Sequence, residues 1–149
     1  MTRYVLLRDP GGIARVSLQT DALHQHIPLP HIVLHSPTGL EWGSGASGSA
    51  DTALSILAHY FEEDPDLVTH GQRCYPCGAC QRGLTTAGTL CGVCGGVGSQ
   101  WVRSLARWHY HPFKWDFIAS LPRAGGVIEA HDIQTWVRRQ PSLSRARVT

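Results

Sequence analysis

All five cysteines of the 149-residue chain fall between positions 74 and 94. Four of them form two matched pairs, Cys77-Gly78-Ala79-Cys80 and Cys91-Gly92-Val93-Cys94. Two residues between cysteines let one tight turn present both sulfurs to the same ion, and a tetrahedral zinc site takes four thiolates at about 2.3 Å. Glycines follow each pair, in Gln81-Arg82-Gly83 and Gly95-Gly96-Val97-Gly98, where they permit positive φ at no steric cost. The residues between the pairs suffice for a small hairpin that returns the second turn to the first. The pattern predicts one structural zinc ion held by Cys77, Cys80, Cys91 and Cys94. Four sulfurs close the shell and leave no position for an activated water, so the metal is expected to fold the segment rather than catalyse. Cys74 is the spare. Cys74-Tyr75-Pro76-Cys77 is also an acceptable zinc turn, so Cys74 can replace Cys80 as a ligand; otherwise it is a free thiol. A redox role fits less well, because thioredoxin-like sites carry a single pair on a strand–helix unit.

Three other groups of residues could do chemistry. Gly43, Ser44, Gly45, Ser47, Gly48 and Ser49 form a loop running into a helix, where backbone N–H groups could hold an anion such as phosphate. There is no Gly-Lys-Ser/Thr ending, so this is not a P-loop, and a loop-to-helix connection with serine caps explains the same residues. Among nine histidines, His24, His26, His31 and His35 lie close in sequence, and His109 and His111 are two apart. A pair of them with Asp116 or Glu41 could bind a second metal. Neither a His-Glu-x-x-His nor a Gly-x-Ser-x-Gly signature is present. Arg103, Arg107, Arg138 and Arg139 could touch nucleic-acid phosphate. Arg103 and Arg107 are expected on one helix face, and Arg138 and Arg139 equally suit a solvated helix end.

These side chains need elements to hold them. The length fits one domain with a small insert, and 42% apolar with 16% charged residues reads as globular. A net charge of +2 argues neither for nor against a nucleic-acid partner. No run approaches the ~18 apolar residues of a membrane span, and the first nine residues lack a signal-peptide core. A cytoplasmic location is expected, where clustered thiols bind metal rather than pair as disulfides.

Residues 3–8 and 13–18 read as strands around the turn Asp9-Pro10-Gly11-Gly12. Residues 31–35 read as a third, buried strand and 40–42 as a short one. Residues 50–61 read as a helix with Ala53, Leu54, Leu57, Ala58 and Phe61 on one face, Ser47 or Ser49 as cap and Asp51 in the first turn. Residues 100–108 read as a helix, 113–121 as a strand, 127–128 as a last strand, and 129–139 as an amphipathic helix carrying Ile133, Trp136 and Val137.

Residues 77–98 resemble the cysteine-rich zinc module of DnaJ-type chaperones and match the spacing of the zinc module of the anti-TRAP protein. That resemblance implies a zinc module, and neither chaperoning nor regulator inhibition. The body resembles a family of small uncharacterised proteins from bacteria, phages and mobile elements. The matching stretches are His35-Ser36-Pro37-Thr38-Gly39-Leu40-Glu41-Trp42-Gly43, the glycine loop entering Ala50–Leu54, Phe113–Ala119 and the Ile133–Val137 helix. The resemblance implies a fold and a genomic setting.

The expected architecture is α+β: a small, mostly antiparallel sheet with two or three helices. Residues 1–70 and 100–140 form one domain, 71–99 an inserted zinc module and 141–149 a disordered tail. The leading functional expectation is a zinc-stabilised accessory protein of phage or mobile-element type that binds another protein. A nucleic-acid-binding accessory and an enzyme built on the glycine loop or histidines remain the alternatives.

Overall fold

A computed structural model describes residues 1–141, apart from the side chains of Leu23 and His24; residues 142–149, which hold most of the expected tail, lie outside the described residues. The first turn forms as its residues dictate. Asp9 accepts the backbone N–H groups of Gly12 (2.8 Å, on its carbonyl) and Ile13 (2.9 Å, on its carboxylate), and Gly12 takes φ +82°. This joins β1 (Thr2–Arg8) to β2 (Ala14–Thr20) in register Arg8↔Ala14. Alternation then sends Tyr4 and Leu6 of β1 inward beside Leu18 and Val16. A third strand, β3 (Leu23–Pro28), pairs with β2.

The chain then leaves the sheet. Residues 31–35 are not a strand, because their backbone N–H groups go to a buried side chain rather than to a neighbouring ladder. Asp51, fully buried, accepts Leu34 N (3.2 Å), His35 N (2.9 Å), Ser36 N (2.9 Å) and His31 Nε2 (3.0 Å). Residues 40–42 are irregular for the same kind of reason: Thr52 Oγ1 takes Glu41 N and donates to Glu41 O (2.7 Å).

Both side chains project from α1 (Ser47–Tyr60), which is buried along most of its length. Its N-cap is Ala46, not a serine, and Asp51 lies beyond the first turn. The helix packs against α3 (Leu105–Phe113) and the π-helical turn Lys114–Ile118, and its Leu54, Ile56 and Leu57 join Tyr4, Leu6, Phe113 and Ile118 in one core. Tyr4 Oη meets His59 Nδ1 at 2.9 Å, tying β1 to this helix.

Between α1 and α3 lies α2 (Pro65–His70), which the sequence reading missed. Asp64 caps it through Leu67 N (2.9 Å), proline opens it, and Gly71 ends it at φ +80°. The expected helix at 100–108 divides at Ser104. Strand β5 (Ser99–Arg103) ends there and α3 begins, with Ser104 Oγ accepting Arg107 N at 3.0 Å and the Glu63 carboxylate taking Leu105 N (2.6 Å) and Ala106 N (3.2 Å).

The expected strand at 113–121 is helical. Pro112 removes one intrahelical donor and crowds the carbonyl one turn back. The ladder slips past it into a π turn closed by Ala119 N on Lys114 O (2.8 Å).

The last sheet strand, β6 (Gly125–Glu129), pairs with β1, giving a four-stranded antiparallel sheet of order β3-β2-β1-β6, and α4 (Ala130–Arg139) follows with Ile133 fully buried. At the entry to β6, Gly125 has φ +103°, and a Cβ there would lie 1.9 Å from Leu6 O. Gly125→Ala is expected to lose about 2 kcal/mol or more of stability in urea unfolding, since side chain and backbone conflict together. A loss below about 0.5 kcal/mol would show that the strand shifts freely. A separate two-stranded sheet pairs β4 (Gln72–Pro76) with β5. Among the described residues four α-helices and two antiparallel sheets make the fold α+β. No helix among the described residues is long and apolar enough to cross a membrane.

Candidate metal centre

Strands β4 and β5 form the stem of the cysteine-rich segment. Their ladder runs from Gln72↔Arg103 to Pro76↔Ser99 and is extended by Cys77 N donating to Gly98 O at 2.9 Å. Beyond it the chain makes two tight turns, one carrying Cys77 and Cys80, the other Cys91 and Cys94. They are joined by Cys91 N on Gly83 O (2.8 Å). Only glycine allows the two turns to approach so closely. A Cβ on Gly83, at φ +91°, would sit 2.0 Å from Gly96 O, and one on Gly98 would meet the Arg82–Gly83 backbone at 3.1 Å.

The sulfurs converge. One Sγ from each of Cys77, Cys80, Cys91 and Cys94 lies within 4.8 Å of all the others. Cys77 and Cys91 are 4.0 Å apart and Cys80 and Cys94 3.6 Å. A tetrahedral ion with four sulfurs at about 2.3 Å requires sulfur separations of about 3.8 Å. A disulfide requires about 2.05 Å. The cluster therefore has the size of a metal shell, and none of the cysteines is disulfide-bonded.

Backbone N–H groups point at the sulfurs as they do at thiolates: Val93 N at 3.4 Å from Cys91 Sγ and Gly98 N at 3.2 Å from Cys94 Sγ. Desolvation raises the Cys94 thiol, but the Gly98 and Gly96 N–H groups and the neighbouring thiols outweigh it and bring the group down to about 7. Desolvation, helped by the neighbouring thiols, pushes Cys80 up to about 12. A cation at the centre would draw all four sulfurs into the thiolate form. These four residues could bind a metal ion. Cys74 is exposed on β4, opposite Trp101, and lies outside the cluster.

The other candidates are placed differently. The glycine loop does head α1, with Gly43 N on Ile118 O (3.0 Å) and Ala46 N on Ser44 Oγ (3.3 Å). Sequence reading missed the side chain that reaches it, Lys114, whose Nζ donates to Gly45 O at 3.1 Å. Among the described side chains the histidines are dispersed. His31 bonds Asp51, His35 Nε2 meets Tyr110 Oη at 3.0 Å, and His109 packs against Phe61 and Trp136. Among the described residues the four cysteines form the only metal-sized group of His, Cys, Asp or Glu.

The arginines do not share one helix face. Arg103 is exposed on β5, and Arg107 on α3 donates to Thr69 O (2.9 Å) at the end of α2. Arg138 and Arg139 occupy the last turn of α4.

Residues 4–73 match DUF6166, a family of unknown function. The matched span runs from β1 into β4 and stops before the first cysteine. No curated protein and no solved structure gives a match.

Proposed function

We propose that the chain is a zinc-stabilised accessory protein that acts by binding another protein through its cysteine-rich segment. The observation that carries the reading is the surface this segment presents. Leu84, Leu90 and Val97 are 45%, 70% and 75% exposed, and Arg82 is the only charged residue from Cys77 to Gly98. Exposed aliphatic side chains on a rigid, nearly uncharged knuckle are costly to leave in water and suit burial against a partner. Zinc is the ion that best fits four thiolates with no open position. Residues 71–99 act as a module set into the domain, and a cytoplasmic setting keeps the thiols reduced. The resemblance of the body to small phage and mobile-element proteins makes a host factor the natural kind of partner.

Affinity capture from the native host tests this. The zinc-loaded chain is expected to retain one protein stoichiometrically, and retention should be lost both on chelation and in Leu90→Asp, which leaves the sulfurs untouched. Capture that survives both changes would overturn the reading. Retention of RNA or DNA that falls with salt and disappears in the Arg103→Ala, Arg107→Ala double variant would replace it with nucleic-acid binding.

A further inference from the structure

The head of α1 leaves several polar groups without partners. In any helix the first N–H groups have no partner within it. Here Ala50 N is the first to find one, on Ala46 O at 3.2 Å, which leaves Ser47, Gly48 and Ser49 without an intrahelical acceptor. The N-cap Ala46 makes no side-chain hydrogen bond, and the first turn holds no acidic residue. A helix of 14 residues therefore presents its positive end uncapped.

Two further observations point to a ligand. Ser49 Oγ, fully buried, is the one buried side-chain polar atom without a hydrogen-bond partner among the described residues. Ser49 is the third residue of the helix, where the Cα–Cβ bond tilts toward the N-terminal end. The hydroxyl is thus at the same end as the open N–H groups.

The second observation is Lys114, only 5% exposed. Its Nζ lies 4.4 Å from the Trp115 ring centre and gives one hydrogen bond, to Gly45 O within the loop. An ammonium has three donors, and no carboxylate is within ion-pair distance of this one among the described residues. Burying a cation without a counter-charge is expensive. The Glu41 carboxylate, just ahead of the loop, is already held by both Nη atoms of Arg8, at 3.1 and 2.7 Å.

An open helix terminus, an orphan hydroxyl and a buried unpaired cation around one loop share a single remedy. We propose that Gly45–Ser49 with Lys114 binds a phosphate group. The Ser47, Gly48 and Ser49 N–H groups and Ser49 Oγ hydrogen-bond its oxygens, and Lys114 neutralises its charge. The loop is exposed at Gly45, Ala46 and Ser47, which gives the phosphate its way in. Trp115, 58% exposed and packed on Gly45, stands beside that opening where a carrier would extend.

Amide NMR of the full chain, titrated with inorganic phosphate against chloride at equal ionic strength, tests this. Saturable shifts of the Ser47, Gly48 and Ser49 amides are expected with phosphate alone. Lys114→Met should weaken binding at least about tenfold. Ser49→Ala should raise or preserve the phosphate-free melting temperature, since it deletes an unsatisfied hydroxyl, yet weaken phosphate binding roughly threefold to tenfold. Adenosine monophosphate and oligothymidylate identify the carrier. Tighter binding of the nucleotide with quenching of Trp115 points to a phosphomonoester, tighter binding of the oligonucleotide to a nucleic-acid backbone, and parity with phosphate to the free ion. No saturable shift at these amides by ~10 mM phosphate, or unchanged binding in a folded Lys114→Met chain, overturns the proposal.

Discussion

Cys91→Ser is expected to abolish stoichiometric zinc binding and unravel residues 77–98, while the four-stranded sheet and α1 stay folded. Cys91 is among the most buried of the four sulfurs, and its backbone N–H closes the two turns on Gly83 O. A serine hydroxyl does not ionise to replace the thiolate, and a structural zinc site of this type supplies about 10–16 kcal/mol of apparent binding energy. Without it the segment has little to hold it, since its aliphatic side chains are largely exposed. The body should persist because its core draws on Tyr4, Leu6, Leu54, Leu57, Phe113 and Ile133, and none of these belongs to the segment. Elemental analysis should read one zinc per wild-type chain and none in the variant. Hydrogen exchange should rise toward unfolded rates between Cys77 and Gly98 and change little in β1, β2 and α1. Global unfolding of the variant would show that the segment is integral to the core; a wild-type chain purified without any metal would remove the zinc reading altogether.

The opposite pattern is expected for Asp51→Ala: zinc retained, body severely weakened. The carboxylate is inaccessible to solvent and accepts three backbone N–H groups and one imidazole. Truncation leaves buried donors without an acceptor, and losses of about 3–5 kcal/mol follow when one side of such a buried charged network is removed. Against a typical total of 5–15 kcal/mol that is enough to unfold a marginal chain. Asp51→Asn keeps the shape and one acceptor oxygen but aims an amide N–H at a donor, so an intermediate loss is expected. Urea midpoints for the three chains, at unchanged slope, provide the measure. A loss under about 1 kcal/mol in Asp51→Ala would mean that water reaches residues 34–36 and replaces the carboxylate.

The contrast between these variants reflects what a linear sequence reveals. The β1–β2 hairpin was readable because Asp9-Pro10-Gly11-Gly12 is local turn chemistry flanked by alternating residues. The cysteine cluster was readable because two-residue spacing is itself a geometric constraint. The α+β class followed from the mixture of periods. Residues 31–35 misled because His-Ile-Val-Leu-His has a strand's composition; its hydrogen bonds go to Asp51, remote in sequence, and no local pattern announces that. By sequence Asp51 is a favourable charge near a helix start, the ordinary role of an exposed aspartate, but the helix begins at Ser47 and the side chain is buried. Residues 113–121 carry alternating aromatics that suit a strand, and the helix continues through them by slipping register after Pro112. Lys114 stands out as the only lysine in the chain, but nothing in its neighbours says that it reaches Gly45.

The strand order carries a consequence for how the molecule comes into being. Strands β1, β2 and β3 are neighbours in sequence and in the sheet, so they can assemble early by local zippering. The remaining edge of β1 must wait for β6, since Arg3 pairs with Glu129. Until then a row of unpaired backbone groups stands open to any passing strand. The closure entropy of that long excursion grows only slowly, by about 0.6 kcal/mol per doubling, so distance itself is a mild obstacle; the exposed edge is the hazard. A bound ion that gathers the cysteine-rich stretch shortens the excursion and removes glycine-rich slack from it. An ion held by the four cysteines would thus bear on the safe assembly of a sheet that contains none of them.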